Sequence, residues 1–151
     1  MLSYQTVQMA TNEEFKALTR LTQTEFEELL KIFATAWEES RNSASASTRG
    51  RPAKLQSCGD KLLFILFYLK NYPLQEVLGF LFGLDQSQAK RWIKTLSRVL
   101  REALTRGGYL PAREASQLAL ELADSGPLDL ILDGTERRRQ RPTDPQAQTS
   151  F

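Results

Sequence analysis

Asp60-Lys61-Leu62-Leu63-Phe64-Ile65-Leu66-Phe67-Tyr68-Leu69 opens the stretch whose reading decides the fold. Residues 60–106 read as three helices separated by two tight breaks. Asp60 can cap the first helix, and its run 62–69 is apolar nearly all round, the pattern of a helix buried in the middle of a bundle. Asn71-Tyr72-Pro73 ends it, because proline disfavours a helical conformation in the residue before it. Residues 74–81 form a short second helix. Phe82-Gly83-Leu84-Asp85 is the second break, with Gly83 suited to the left-handed position that closes a helix. Asp85 or Ser87 can cap the third helix.

That third helix is two-sided. Projected at about 100° per residue, Ala89, Trp92, Ile93, Leu96, Val99, Leu100, Ala103 and Leu104 fall on one face. Ser87, Lys90, Arg91, Lys94, Arg98, Arg101 and Thr105 fall opposite, with no acid among them. A merely solvated face usually mixes signs. In a helix-turn-helix the second helix of the pair enters the major groove with its N-terminal residues against base edges. Here that helix begins at Gln86-Ser87-Gln88-Ala89-Lys90-Arg91. Glutamine can pair with adenine through two hydrogen bonds, and arginine with guanine. Lys94, Arg98 and Arg101 lie further along, where phosphates are the natural partners. The alternative is a solvated basic face on a structural bundle.

Upstream, residues 12–18 read as a short helix with Thr11 or Asn12 as its cap. Thr22-Gln23-Thr24-Glu25 is a capping-box pattern. Behind it Phe26, Leu29, Leu30, Phe33 and Trp37 share one helical face, as a packing helix requires. Residues 1–40 are thus expected to be packing helices, and residues 41–58 a basic flexible linker rich in small residues. Within it, Arg49-Gly50-Arg51-Pro52 is similar to an AT-hook, in which arginines enter a narrow minor groove. The plainer reading of Arg49 and Arg51 is a solvated basic loop that meets phosphates. The helix-turn-helix domain is placed at 59–124, with a last helix carrying Ala115, Leu118, Ala119 and Leu122 on its inner face. Residues 128–133, Leu-Asp-Leu-Ile-Leu-Asp, read as a strand.

Composition narrows the chemistry. The chain has 151 residues, enough for one domain with a real core. Its net charge of +2 is uninformative, but basic residues gather at 49–54, 90–106 and 137–141 and acidic ones at 13–39. Such asymmetry points to a polyanion on one side. With no histidine and a single cysteine, Cys58, a His/Cys zinc site and a Ser-His or Cys-His pair within the chain are excluded. No intramolecular disulfide is possible, which fits a reducing cytoplasm. The start, Met1-Leu2-Ser3-Tyr4-Gln5, lacks a signal-peptide pattern. The apolar run is far shorter than the roughly 20 residues that span a bilayer.

Ile131-Leu132-Asp133-Gly134-Thr135-Glu136-Arg137, followed by Gln140-Arg141-Pro142 and Asp144-Pro145, resembles the transposases of bacterial insertion sequences with a DDE catalytic domain. The run 60–70 with Tyr72-Pro73, and Leu81-Phe82-Gly83 followed by Ala89-Lys90-Arg91-Trp92-Ile93, resembles the helix-turn-helix that precedes that domain. The resemblance implies a ribonuclease-H-like catalytic fold, a triad of carboxylates and two magnesium ions that activate the nucleophile for attack on a phosphodiester. It makes Asp133 the first triad carboxylate and a metal ligand. The family's second Asp and its Glu lie on later strands and a helix, so catalysis and a bound cofactor are not expected of these 151 residues alone.

The expected fold is therefore mainly α, a helical bundle containing a helix-turn-helix. Residues 128–151 would add a truncated, single-stranded start of the ribonuclease-H-like domain. The expected function is the DNA-binding portion of a transposase, cytoplasmic and nucleoid-associated, recognising terminal inverted repeats. Gln86, Ser87, Lys90, Arg91, Lys94, Arg98, Arg101, Arg49 and Arg51 are the expected DNA contacts. Double-stranded DNA is the expected partner, with the remaining transposase frame or a second copy of the chain as further candidates and no membrane. The competing reading is a free-standing helix-turn-helix repressor of transposition.

Overall fold

Reciprocal caps decide where the helices begin. A capping box satisfies two orphan amides at once, one through the N-cap side chain and one through the side chain three residues on. Thr11 pairs in this way with Glu14, Ser57 with Asp60, and Asp85 with Gln88. Thr22 pairs with Glu25 in the same manner. The computed structural model describes residues 1–43, 54–111 and 114–124. A first unit, Met1–Pro111, holds α1 (Tyr4–Val7), α2 (Asn12–Thr19), α3 (Gln23–Ser43), α4 (Cys58–Asn71), α5 (Gln75–Phe82) and α6 (Gln86–Arg106). A second unit begins at Ala112 and contains α7 (Ala115–Asp124). There is no strand among the described residues, and the expected strand at 128–133 lies outside them.

The mainly helical class is as the sequence predicts. The core is a line of aromatic rings in an aliphatic matrix. Phe15 of α2, Phe26 and Phe33 of α3, Phe64 of α4 and Phe82 of α5 are fully buried. Phe15 meets Phe26 edge-on with centroids 5.3 Å apart, and Phe64 meets Phe82 at 5.0 Å. Such pairs add about 0.5–1.5 kcal/mol beyond their buried area. Leu62, Leu63, Phe64 and Ile65 all have zero exposure, so the first half of α4 is buried on every side, as its all-round apolarity requires. The second half emerges: Leu69 is exposed. α4 packs against α1, α2, α3 and α6.

Several details differ from the sequence reading. Asp60 does not cap α4; Ser57 does, and Asp60 is its capping-box partner. The other Asp60 oxygen accepts from the amide of Tyr4 at 2.8 Å, and the Tyr4 ring stacks on Phe26 at 5.0 Å. That tertiary anchoring orders α1, a single turn that periodicity could not show. α3 continues through Ser40 to Ser43, beyond the expected start of the linker. Its last turns are held from outside, since Ser40 accepts a hydrogen bond from Arg98 of α6 at 3.0 Å. Leu55 is buried at 2% exposure, so the residues just before α4 belong to the core. On α7, Leu118, Ala119 and Leu122 are exposed. Its unit is described only over 114–124, so the inner face expected there has no described neighbour within the unit.

Removing the Phe64 ring leaves a cavity where α4 meets α5. Phe64→Ala is expected to cost about 3–5 kcal/mol, read as a lower midpoint in urea unfolding followed by circular dichroism. The caps give a pH dependence. Hydrogen bonds from Thr11 and Thr22 hold the carboxyls of Glu14 and Glu25 below their ordinary value of 4.5. A carboxylate depressed in the folded state stabilises it above the unfolded pKa, and that contribution is lost as pH falls through the folded value. The thermal midpoint should therefore drop between about pH 5 and pH 3, and less steeply in the Glu14→Gln, Glu25→Gln double variant.

Candidate nucleic-acid interface

The turn between α5 and α6 is built from three backbone features. Gly83 adopts the left-handed conformation at φ +68°, which glycine enters without a side-chain penalty. The amide of Leu84 donates to the carbonyl of Gly79 at 2.8 Å and that of Gly83 to Phe80 at 3.4 Å, the two bonds of a Schellman closure. Gly79 itself lies so close to the turn that a Cβ there would sit 2.7 Å from the Leu84 carbonyl oxygen. α6 then starts at once, capped by Asp85, whose Oδ1 accepts from the Gln88 amide at 2.7 Å. At the other end of α5, Tyr72 takes a left-handed conformation at φ 46° before Pro73, ending α4.

α6 presents the two faces that the projection separates. Ala89, Leu96, Val99, Leu100 and Ala103 are buried, and Trp92, Ile93 and Leu104 are partly buried against the core. Trp92 meets Trp37 of α3 with ring centroids 5.8 Å apart. Gln86, Ser87, Lys90, Arg91, Lys94, Arg98 and Arg101 are all exposed, and the fold brings them onto one helix. Among the described residues, no carboxylate forms an ion pair with Lys90, Arg91, Lys94, Arg98 or Arg101. Glu102 ends this cationic face: it pairs at 2.7 Å with Arg106, which also bonds Glu39 of α3. The Arg106 guanidinium holds the Glu39 carboxyl below its ordinary range, and the same bond raises Arg106. The remaining expected site residues, Arg49, Arg51 and Asp133, lie outside the described residues, and with Asp133 goes the magnesium expectation.

Two residues at or behind this face escape sequence reasoning. Glu76, in the first turn of α5, accepts from Nε2 of Gln86 at 2.7 Å. Nothing in the local sequence marks that pair, because it forms across the turn. Lys61 stands immediately before the apolar run and has only 4% exposure. Its ammonium donates to the carbonyls of Gln56 at 2.7 Å and Ser57 at 3.1 Å, and lies 5.2 Å from the centre of the Trp37 ring. Burial pushes its pKa down. Nothing in the local sequence marks this lysine, since Asp60-Lys61 before an apolar run looks like an ordinary polar helix start.

A short helix closed by a glycine turn, followed by a capped helix with a free outer face, defines a helix-turn-helix. Residues 53–106 match the family described as the helix-turn-helix of DDE superfamily endonuclease. The match spans α4, α5 and α6, so this segment is similar to the helix-turn-helix of that family. Comparison with curated proteins and with solved structures gives no match. No helix among the described residues is long and apolar enough to cross a membrane.

The turn is testable apart from any ligand. Gly83→Ala places a Cβ at positive φ, and about 1–2 kcal/mol of stability should be lost. Urea denaturation of the two proteins side by side measures it, and equal midpoints would contradict the left-handed assignment.

Proposed function

We propose that this chain is the DNA-binding portion of an insertion-sequence transposase and that α6 lies in the major groove of the element's terminal inverted repeats. The observation that carries this reading is the row of cations on the outer face of α6, exposed and without carboxylate partners among the described residues. Gln86, Ser87, Lys90 and Arg91, at the start of the helix, are the residues that reach base edges. Lys94, Arg98 and Arg101 bind phosphates, and Arg49 and Arg51 add contacts from the segment before α4. Leu96 is buried and Trp92 partly buried on the opposite face, which supports the cationic side as the one that DNA meets. The inverted repeats and the nucleoid association that follows from binding chromosomal DNA enter through the resemblance to insertion-sequence transposases. In the complete enzyme that this resemblance implies, Asp133 contributes to a magnesium site. The 151 residues alone bind without cutting.

The test is a salt titration of binding to a duplex carrying the terminal repeat, with a scrambled duplex beside it. Log K should fall linearly with log salt, and Lys94→Ala should reduce the slope by about one while weakening both duplexes alike. The repeat should bind more tightly than the scrambled sequence. A flat salt dependence would overturn DNA binding through this face. Equal affinities would overturn repeat recognition, and magnesium-dependent nicking by the purified chain would overturn binding without cutting.

A further inference from the structure

Gln86 is the first residue of α6, and its carboxamide is held from the side. Nε2 donates to Oε1 of Glu76 at 2.7 Å, so the first turn of α5 reaches the first turn of α6. Both side chains are exposed. An ionised carboxylate only accepts hydrogen bonds, so it can bond the amide nitrogen and never the amide oxygen. The contact therefore fixes which way round the carboxamide faces. A glutamine without that partner can turn its amide over and offer donor and acceptor in the reverse order. Leu74 occupies the N-cap position of α5 without a side-chain bond, and Glu76 in the first turn makes no capping-box bond there, adding only the modest attraction of an acid for a helix N-terminus. As an acid beside a cationic face, it weakens attraction to phosphates of any sequence.

We propose that Glu76 is a positioning residue that sets the base preference of Gln86. This rests on the DNA-binding reading above. The 2.7 Å bond engages Nε2, and pairing with a base requires that the proton given to Glu76 be the one trans to the carbonyl of Gln86. The free edge then carries one acceptor, Oε1, and one donor, the remaining N–H. That order is complementary to the N6 amino group and N7 of adenine in the major groove. Glu76 thus gives up general affinity and adds discrimination at one base pair.

The experiment is selection of binding sites from a random duplex pool by the full 151-residue chain, carried out on the unaltered protein and on Gln86→Ala, Glu76→Ala and Glu76→Gln. The unaltered protein should enrich a site with adenine favoured at one position, and Gln86→Ala should lose about tenfold of that preference. Glu76→Ala should lose most of the same preference, leave the rest of the site intact, and bind random duplex as well as the unaltered protein or better. Glu76→Gln keeps an acceptor oxygen and should restore part of the preference, which also guards against a folding defect in the alanine variant. The proposal is overturned if Glu76→Ala keeps the full preference, or if it changes affinity for all duplexes by one common factor. It is equally overturned if Gln86→Ala enriches the same site as the unaltered protein. Enrichment of no duplex by the unaltered protein would instead sink the DNA-binding reading from which this one starts.

Discussion

The hydrogen bond from the Leu84 amide to the Gly79 carbonyl sets the angle between α5 and α6, and the interface depends on it. Two helices joined by so short a turn must approach closely, and close approach needs a residue without a side chain at the point of contact. Gly79 supplies that, with a Leu84 oxygen where a Cβ would go. Gly83 supplies the reversed backbone twist. With both in place, Asp85 can cap α6 and Glu76 can reach Gln86. Displace either glycine and the outer face of α6 keeps its charges but loses its fixed attitude to the rest of the domain.

The second requirement is that α6 cannot roll. Its inner face is anchored along its length by α3, α4 and α5. Trp92 against Trp37 anchors its first half, Leu96, Val99 and Leu100 its middle, and the Arg106–Glu39 pair its end. That last contact is exposed and contributes little energy. The buried aliphatic contacts hold the helix, at roughly 1.5–3 kcal/mol for each large side chain removed from water. Recognition by a rigid helix depends on such burial, because a groove reads side chains only when the backbone carrying them is fixed.

What the sequence makes legible is local. The two faces of α6 follow from a single period, so its buried and exposed residues separate on the residue pattern alone. Gly83 is legible for the same reason, since the order Phe82-Gly83-Leu84-Asp85 encodes a helix end and a cap within four neighbours. The identity of the α4 cap is not, because Ser57 and Asp60 satisfy the same pattern in two registers. α1 is invisible, as its order comes from an amide meeting a carboxylate 56 residues away. The Glu76–Gln86 pair has the same character: each residue alone looks like an ordinary solvated side chain. Contacts closed by the fold carry no periodicity, and these are the ones that refine the site.

Lys61 has a consequence for which substitutions this domain can accept. Its stem fills a place in the apolar centre, while its ammonium ends against two backbone carbonyls and an aromatic face. Methionine matches the stem but removes the donors, leaving the Gln56 carbonyl to find another partner. Arginine keeps the charge but must fit a broad planar fork where a compact head now sits. Glutamic acid would set a negative charge against the same oxygens. The position is thus restricted by shape and charge together, although in sequence it looks like one more polar residue at the start of a helix.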